Sequence, residues 1–166
     1  MSRLPAVKMG AGRKAGALAL GVWLGSCLGA GAENFAISLK VQSGGREQTA
    51  VSGQPAGAPP TFKAKAKDVV WVQWSAANGA SGPPLSDITL HVFMDRGDAR
   101  AHAPKPGPKA LYESALIQDF ERGVKSSGEF RMSMPEPGTY LVRAETIGAA
   151  GKLGKEAAAV MQVSVQ

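Results

Sequence analysis

The chain has 166 residues, a single cysteine and a net charge of +6. Four of the 19 basic residues precede residue 15, and all 13 acidic residues lie at or after Glu33, so the rest of the chain carries 15 basic and 13 acidic side chains. This balance, without a basic stripe interleaved with aromatic residues, argues against nucleic-acid binding. One cysteine excludes an intrachain disulfide and any site built from several thiolates.

Residues 1–32 have the pattern of a secretory signal peptide. Four basic residues are followed by an apolar run, Ala15–Leu28, and then by the small residues Ala30-Gly31-Ala32. This order suits cleavage by a signal peptidase, and the run is shorter than the roughly 20 residues of a membrane span. We expect an exported protein, periplasmic or extracellular, whose mature chain starts at Glu33.

A second processing pattern overlaps the signal peptide. Leu24-Gly25-Ser26-Cys27 resembles a lipobox, in which the cysteine is lipidated and becomes the new N-terminus. The alternative to a freely exported protein is therefore one that a lipid anchor at Cys27 holds on the membrane. If the segment is instead removed, the mature chain has no thiol.

The first part of the mature chain combines a strand with a linker. Apolar residues occupy every second position of Phe35–Val41, which predicts a strand. Residues 42–60 are rich in Gly, Pro, Ser and Gln, and we interpret them as flexible. We therefore divide the exported chain into residues 33–59, a strand and a linker, and residues 60–166, the folded domain.

Alternation with a period of two recurs along residues 60–166. The predicted strands are Phe62–Lys67, Val69–Ser75, Ile88–Asp95, Leu111–Phe120, Phe130–Met134, Thr139–Ile147 and Ala157–Val165. Turn-forming residues separate them, and the length suits one domain. We expect an all-β protein, an antiparallel immunoglobulin-like β-sandwich of about seven to eight strands.

Strand parity also predicts which side chains are buried. Val70, Val72 and Trp74 share the core face of their strand, with Trp71 opposite. The lysines at alternate positions of Phe62–Lys67 predict a solvated edge strand.

The stretch Gly128–Ile147 predicts a hairpin at the centre of the domain, turning at Pro135-Glu136-Pro137-Gly138. Its expected core residues are Phe130, Met132, Met134, Tyr140, Val142 and Ala144. Arg143 and Glu145 mark the opposite face of the second strand as the more solvated one.

Residues 60–166 resemble secreted bacterial immunoglobulin-like domains of the CARDB-like and fibronectin-type group. The resemblance rests on the W-x-x-x-N segment Trp74–Asn78 and on the PGTY turn Pro137–Tyr140. It implies an extracytoplasmic adhesion, spacer or binding module. The cysteine pair of antibody domains is absent from this sequence, which removes their inter-sheet disulfide.

Two kinds of site are candidates, a copper site and a binding surface. Copper in the periplasm could be bound by His91, Met94, His102, Met132 and Met134, because imidazole and thioether ligands suit that metal. Parity places His91 and Met94 on opposite faces, and we interpret the methionines as core and the histidines as surface residues. The Arg96-Gly97-Asp98 tripeptide is interpreted as a turn.

A carbohydrate or protein surface is the next candidate, with Trp71 and Tyr112 as aromatic side chains on otherwise polar faces. No catalytic motif such as G-x-S-x-G is present, and no glycine-rich loop precedes a helix. We expect a non-catalytic module without cofactor or metal that binds an envelope or extracellular protein or polysaccharide. A periplasmic copper-binding protein and a carbohydrate-binding module are the alternatives.

Overall fold

The structure, a computed structural model, describes residues 34–54, 58–97 and 110–166. The predicted signal peptide with Cys27, and also Asp98 and His102, lie outside the described residues. The described residues belong to one compact unit. Within the described ranges, no helix has the length and hydropathy that a membrane crossing requires.

This part of the chain consists almost entirely of strands. They are β1 (Phe35–Ser43), β2 (Arg46–Val51), β3 (Thr61–Ala64), β4 (Val69–Asn78), β5 (Leu85–Arg96), β6 (Tyr112–Phe120), β7 (Lys125–Ser133), β8 (Gly138–Ile147) and β9 (Ala158–Val165). A four-residue helix, α1 (Ala150–Leu153), lies between β8 and β9.

The strands form two sheets, which confirms the predicted β-sandwich. One sheet has the order β2-β1-β4-β7 and the other the order β3-β9-β8-β5-β6. All neighbouring strands are antiparallel except β3 and β9, which are parallel. The chain passes between the sheets several times: β1, β2, β4 and β7 belong to the first sheet, and β3, β5, β6, β8 and β9 belong to the second. The described residues contain nine strands where the sequence predicted seven to eight.

The predicted linker is wrong for residues 42–51. Gln42 and Ser43 belong to β1, and β2 pairs with β1 from Ser43↔Arg46 to Ser38↔Val51. Because β1 also pairs with β4 along its whole length, both strands belong to the four-stranded sheet and the sandwich begins well before residue 60. The Gly44-Gly45 turn that joins them takes φ values of 54° and 75°, which favour glycine.

The predicted central hairpin is also wrong. β7 pairs with β4 in the four-stranded sheet, whereas β8 lies between β5 and β9 in the five-stranded sheet. Residues 134–137 therefore cross from one sheet to the other. Pro135 and Pro137 have no N–H group, so they cannot contribute donors to a hairpin ladder.

A tyrosine corner fixes this crossing. The Tyr140 hydroxyl at the start of β8 donates to the carbonyl of Glu136, four residues upstream, at 2.8 Å. The Glu136 carboxylate accepts a bond from Arg96 Nη1 at 2.7 Å. Such a corner recurs where immunoglobulin-like chains pass between sheets.

The core lies between the sheets and follows the predicted parity. Its largest fully buried members are Tyr140, Phe120, Ile37, Leu39, Ile88, Leu90, Met94, Met134 and Met161. Val70, Val72 and Trp74 are buried as predicted. Trp74 lies opposite Gly128 of β7, where an added Cβ would come within 2.7 Å of the indole ring.

Candidate functional site

Trp71 lies on the outer face of the four-stranded sheet, as predicted. It is directly opposite Arg131 of β7, whose guanidinium carbon lies 4.6 Å above the indole centroid. The indole Nε1 is buried and has no hydrogen-bond partner. A cation over an aromatic ring contributes about 0.5–1 kcal/mol at exposed sites. Here the guanidinium occupies the ring face on which a sugar would stack.

Trp71 lines an open cleft of about 530 Å³ beside the β1–β2 turn. Glu47 in this cleft accepts bonds from Lys40 and Gln42, both at 2.7 Å. These two bonds, with Lys40 the stronger influence, hold the pKa of Glu47 below its usual value. The outer face of this sheet thus combines the Lys40–Glu47 ion pair, an aromatic ring covered by a guanidinium, and the exposed side chain of Val69.

Tyr112 does not share a surface with Trp71. It is opposite Met94 on β5 and packs against the core between the sheets. Its ring stacks on Phe130 of β7 with centroids 3.7 Å apart and an interplanar angle of 12°. Tyr112 therefore joins the two sheets at one side of the sandwich.

The candidate copper ligands are distributed over different layers. Met94 and Met134 are in the core, Met132 packs against it, and His91 faces the opposite side of β5. The predicted separation of His91 from Met94 is thus confirmed. Among the described residues, no three His, Cys, Asp or Glu side chains are grouped to hold a metal ion.

The outer face of the five-stranded sheet buries polar and apolar side chains that point away from the core. Its two central outward residues on β5, His91 and Phe93, are buried, at 5% and 2% exposure. Phe93 forms a small apolar cluster with Leu141 and Val160. The predictions of a surface His91 and of a solvated outer face on β8 are both wrong, since Leu141 and Glu145 are buried as well.

An ionic network crosses this face. His91 Nε2 donates to Glu113 Oε1 on β6 at 2.9 Å, and Arg143 Nε donates to Glu145 Oε2 on β8 at 2.5 Å. His91 Nδ1 and Glu145 Oε1 are buried without a hydrogen-bond partner, 3.8 Å apart. This distance is too long for a hydrogen bond. The His91–Glu113 bond therefore joins β5 to β6, the Arg143–Glu145 bond fixes two side chains of β8, and two buried polar atoms between the pairs are unsatisfied.

Next to the network lies an exposed apolar row. Thr89 of β5 is directly opposite Ile117 on β6 and Ile147 on β8. Ile117 is 72% exposed and Ile147 46% exposed. Ala115, the neighbour of Ile117 on the same face, is exposed as well. We call Ile117, Thr89 and Ile147 the isoleucine row.

Sequence reasoning missed this face although one signal was present. Leu90–Met94 carries apolar or aromatic residues at almost every position, which is typical of a strand covered on both faces. Alternation alone predicts which residues share a face, but not whether that face is covered.

Comparison with known proteins does not assign the chain to a family. No family model matches the chain, and no curated protein matches it. Among solved structures, a family 123 glycoside hydrolase from Clostridium perfringens, described for glycolipid glycan hydrolysis, is 13% identical with a TM-score of 0.41. The match covers 66% of this chain and 23% of that chain. A likeness at this TM-score carries no argument about activity.

Proposed function

We propose that this chain is an exported, non-catalytic β-sandwich module that binds a protein of the cell envelope or extracellular matrix through the outer face of its five-stranded sheet. The observation that carries this proposal is the isoleucine row, with Ile117 72% and Ile147 46% exposed on one face. Full burial of one such side chain contributes about 1.5–3 kcal/mol. Ile117 and Ile147 lie on either side of Thr89 in one row across β6, β5 and β8, so one partner that covers the row can bury both side chains.

The row also has the rigidity that a binding surface needs. β5, β6 and β8 are hydrogen-bonded neighbours, and the His91–Glu113 and Arg143–Glu145 pairs hold the adjoining side chains. A partner that binds there orders few further groups, so little of the contact energy is lost to entropy. Glu113 and Asp119 supply a polar rim around the apolar centre.

A pull-down from envelope extract tests the surface. Wild-type protein is compared with the double variant Ile117→Lys/Ile147→Lys and with the matched control Val69→Lys. Val69 is an exposed apolar residue, at 57%, of the four-stranded sheet. We expect the same protein band with wild type and Val69→Lys, and its loss with the double variant. A band that survives in the double variant, or is lost only with Val69→Lys, would contradict the proposal.

The export step needs a separate measurement. Mass spectrometry of the protein recovered outside the cytoplasm should give Glu33 as the first residue. A lipidated start at Cys27 would identify the anchored form instead. A mature protein that retains Met1 would refute export by either route.

A further inference from the structure

The edge strands of the two sheets are protected to very different degrees. Among the described strands, the edges are β2 and β7 in one sheet and β3 and β6 in the other. β2 has six residues and begins with Arg46 and Glu47, and β3 has only four residues, with Lys63 exposed. β7 includes Lys125, Gly128 and Arg131. Short length and charge, especially from lysine, are usual means by which proteins keep an edge from pairing, and a glycine inside a strand weakens it.

β6 has few of these protections. It has nine residues, YESALIQDF, without lysine, arginine, proline or glycine. Among the described strands it pairs only with β5, so the other side of its backbone lacks a strand neighbour. Its outward residues are Glu113, Ala115, Ile117 and Asp119, all exposed. The most exposed large apolar side chain of the described residues thus lies in the middle of the least protected edge.

We propose that β6 accepts an extended segment of a partner protein as an additional strand. This inference rests on the proposed function and specifies how the partner binds. The segment carries lysine or arginine where it lies beside Glu113 and Asp119, and apolar side chains beside Ala115 and Ile117. Strand addition takes its affinity from main-chain hydrogen bonds and its specificity from alternate side chains.

The charges on β6 favour a basic partner over a second copy of this chain. If two copies of β6 paired around Leu116, Glu113 of each would lie opposite Asp119 of the other. Like charges directly opposite each other destabilise an antiparallel pair, whereas opposite charges stabilise it. Glu113 and Asp119 are six positions apart, so the two cations of the segment should be about 20 Å apart.

A synthetic peptide provides the test. The probe is acetyl-Lys-Thr-Ile-Thr-Ile-Thr-Lys-amide, which is symmetric and therefore presents both lysines to Glu113 and Asp119 in either strand direction. It is titrated by calorimetry into the full-length protein, into Ile117→Lys and into Ile147→Lys. Both variants alter exposed residues of the isoleucine row, but only Ile117 lies on the edge strand.

Strand addition predicts that Ile117→Lys weakens binding at least about tenfold and Ile147→Lys less than about twofold, since only the first places a cation beside the added strand. A control peptide with glutamate in place of lysine should not bind. A carbonyl-labelled peptide should show the infrared band of a β-strand when bound.

Three results would overturn the inference. Equal weakening by both variants means that the ligand lies on the face rather than along the edge, which contradicts strand addition but agrees with the proposed function. Equal binding of the glutamate peptide contradicts the charge pattern. The third result is that the peptide does not bind although a partner is captured from extract in a way that depends on Ile117. This result refutes the proposed basic, alternating segment but not the proposed function.

Discussion

The two outer faces of this sandwich differ in which of their large side chains are buried. On the four-stranded sheet, Trp71 is half-buried beneath Arg131, and the Lys40–Glu47 ion pair lies on the same face. On the five-stranded sheet, His91, Phe93 and Glu145 are buried at outward positions, and Ile117 and Ile147 are exposed beside them.

This difference is the reason for proposing the face of the five-stranded sheet as the interaction surface. On the four-stranded sheet, Lys40 and Glu47 already pair with each other, and an exposed pair of this kind contributes little on its own. A face with exposed isoleucines beside a fixed ionic network offers apolar area that only a partner can bury. The aromatic residue that stands out in the sequence, Trp71, is thus on the less promising side.

The largest effect of substitution belongs to the layer between the faces. Trp74→Ala removes a buried ring that covers Gly128, and should lower the free energy of unfolding by about 4 kcal/mol. Urea denaturation followed by circular dichroism measures this. A loss no larger than that of Trp71→Ala would mean that the register of β4 is shifted by one residue.

Phe93→Ala tests whether the outer face of the five-stranded sheet behaves as a second core. Phe93 packs with Leu141 and Val160, so we expect a loss of about 3 kcal/mol by the same denaturation measurement. The matched control is Trp71→Ala on the other face. If Phe93→Ala and Trp71→Ala both lower the free energy of unfolding by the same small amount, the two faces do not differ in burial.

Glu145→Gln tests the ionic network of the same face. The carboxylate accepts the Arg143 bond in a buried position, so its neutral replacement should cost about 2 kcal/mol. Glu113→Gln is the control. Because the Glu113 side chain is 52% exposed, this variant should lower the free energy of unfolding by about 0.5 kcal/mol or less. If Glu113→Gln costs more than Glu145→Gln, the buried carboxylate is not the centre of the network.

Trp71→Ala should have the smallest effect of these substitutions. The ring is half-buried and contacts one guanidinium, and a loss of about 1 kcal/mol is expected. Arg131→Ala alone should give part of that loss and make the indole fluorescence more accessible to quenchers. Unchanged quenching would show that the cation does not cover the ring in solution.

Much of the fold could be predicted because strand parity is a local property. Alternation correctly assigned Val70, Val72 and Trp74 to the core. It also predicted that the lysines at positions 63, 65 and 67 are exposed beside an edge strand.

The errors concern pairing and coverage, which are not local. A proline turn between two alternating strands has the same sequence pattern whether the strands pair or cross between sheets, so the β7–β8 crossing could not be distinguished from a hairpin. β2 was missed because its six residues contain only two aliphatic ones, Ala50 and Val51. Burial of His91 and Glu145 depends on contacts between strands that are distant in sequence, and parity carries no information about it.

Site-specific photo-crosslinking in cells of the source organism tests the central claim most directly. A benzophenone amino acid is placed at position 117 on the five-stranded sheet or at position 69 on the four-stranded sheet, two sites that are both exposed in the described part of the chain. We predict a discrete protein adduct from position 117 and none from position 69. An adduct from position 69 with none from position 117 would contradict the assignment of the five-stranded sheet as the interaction surface.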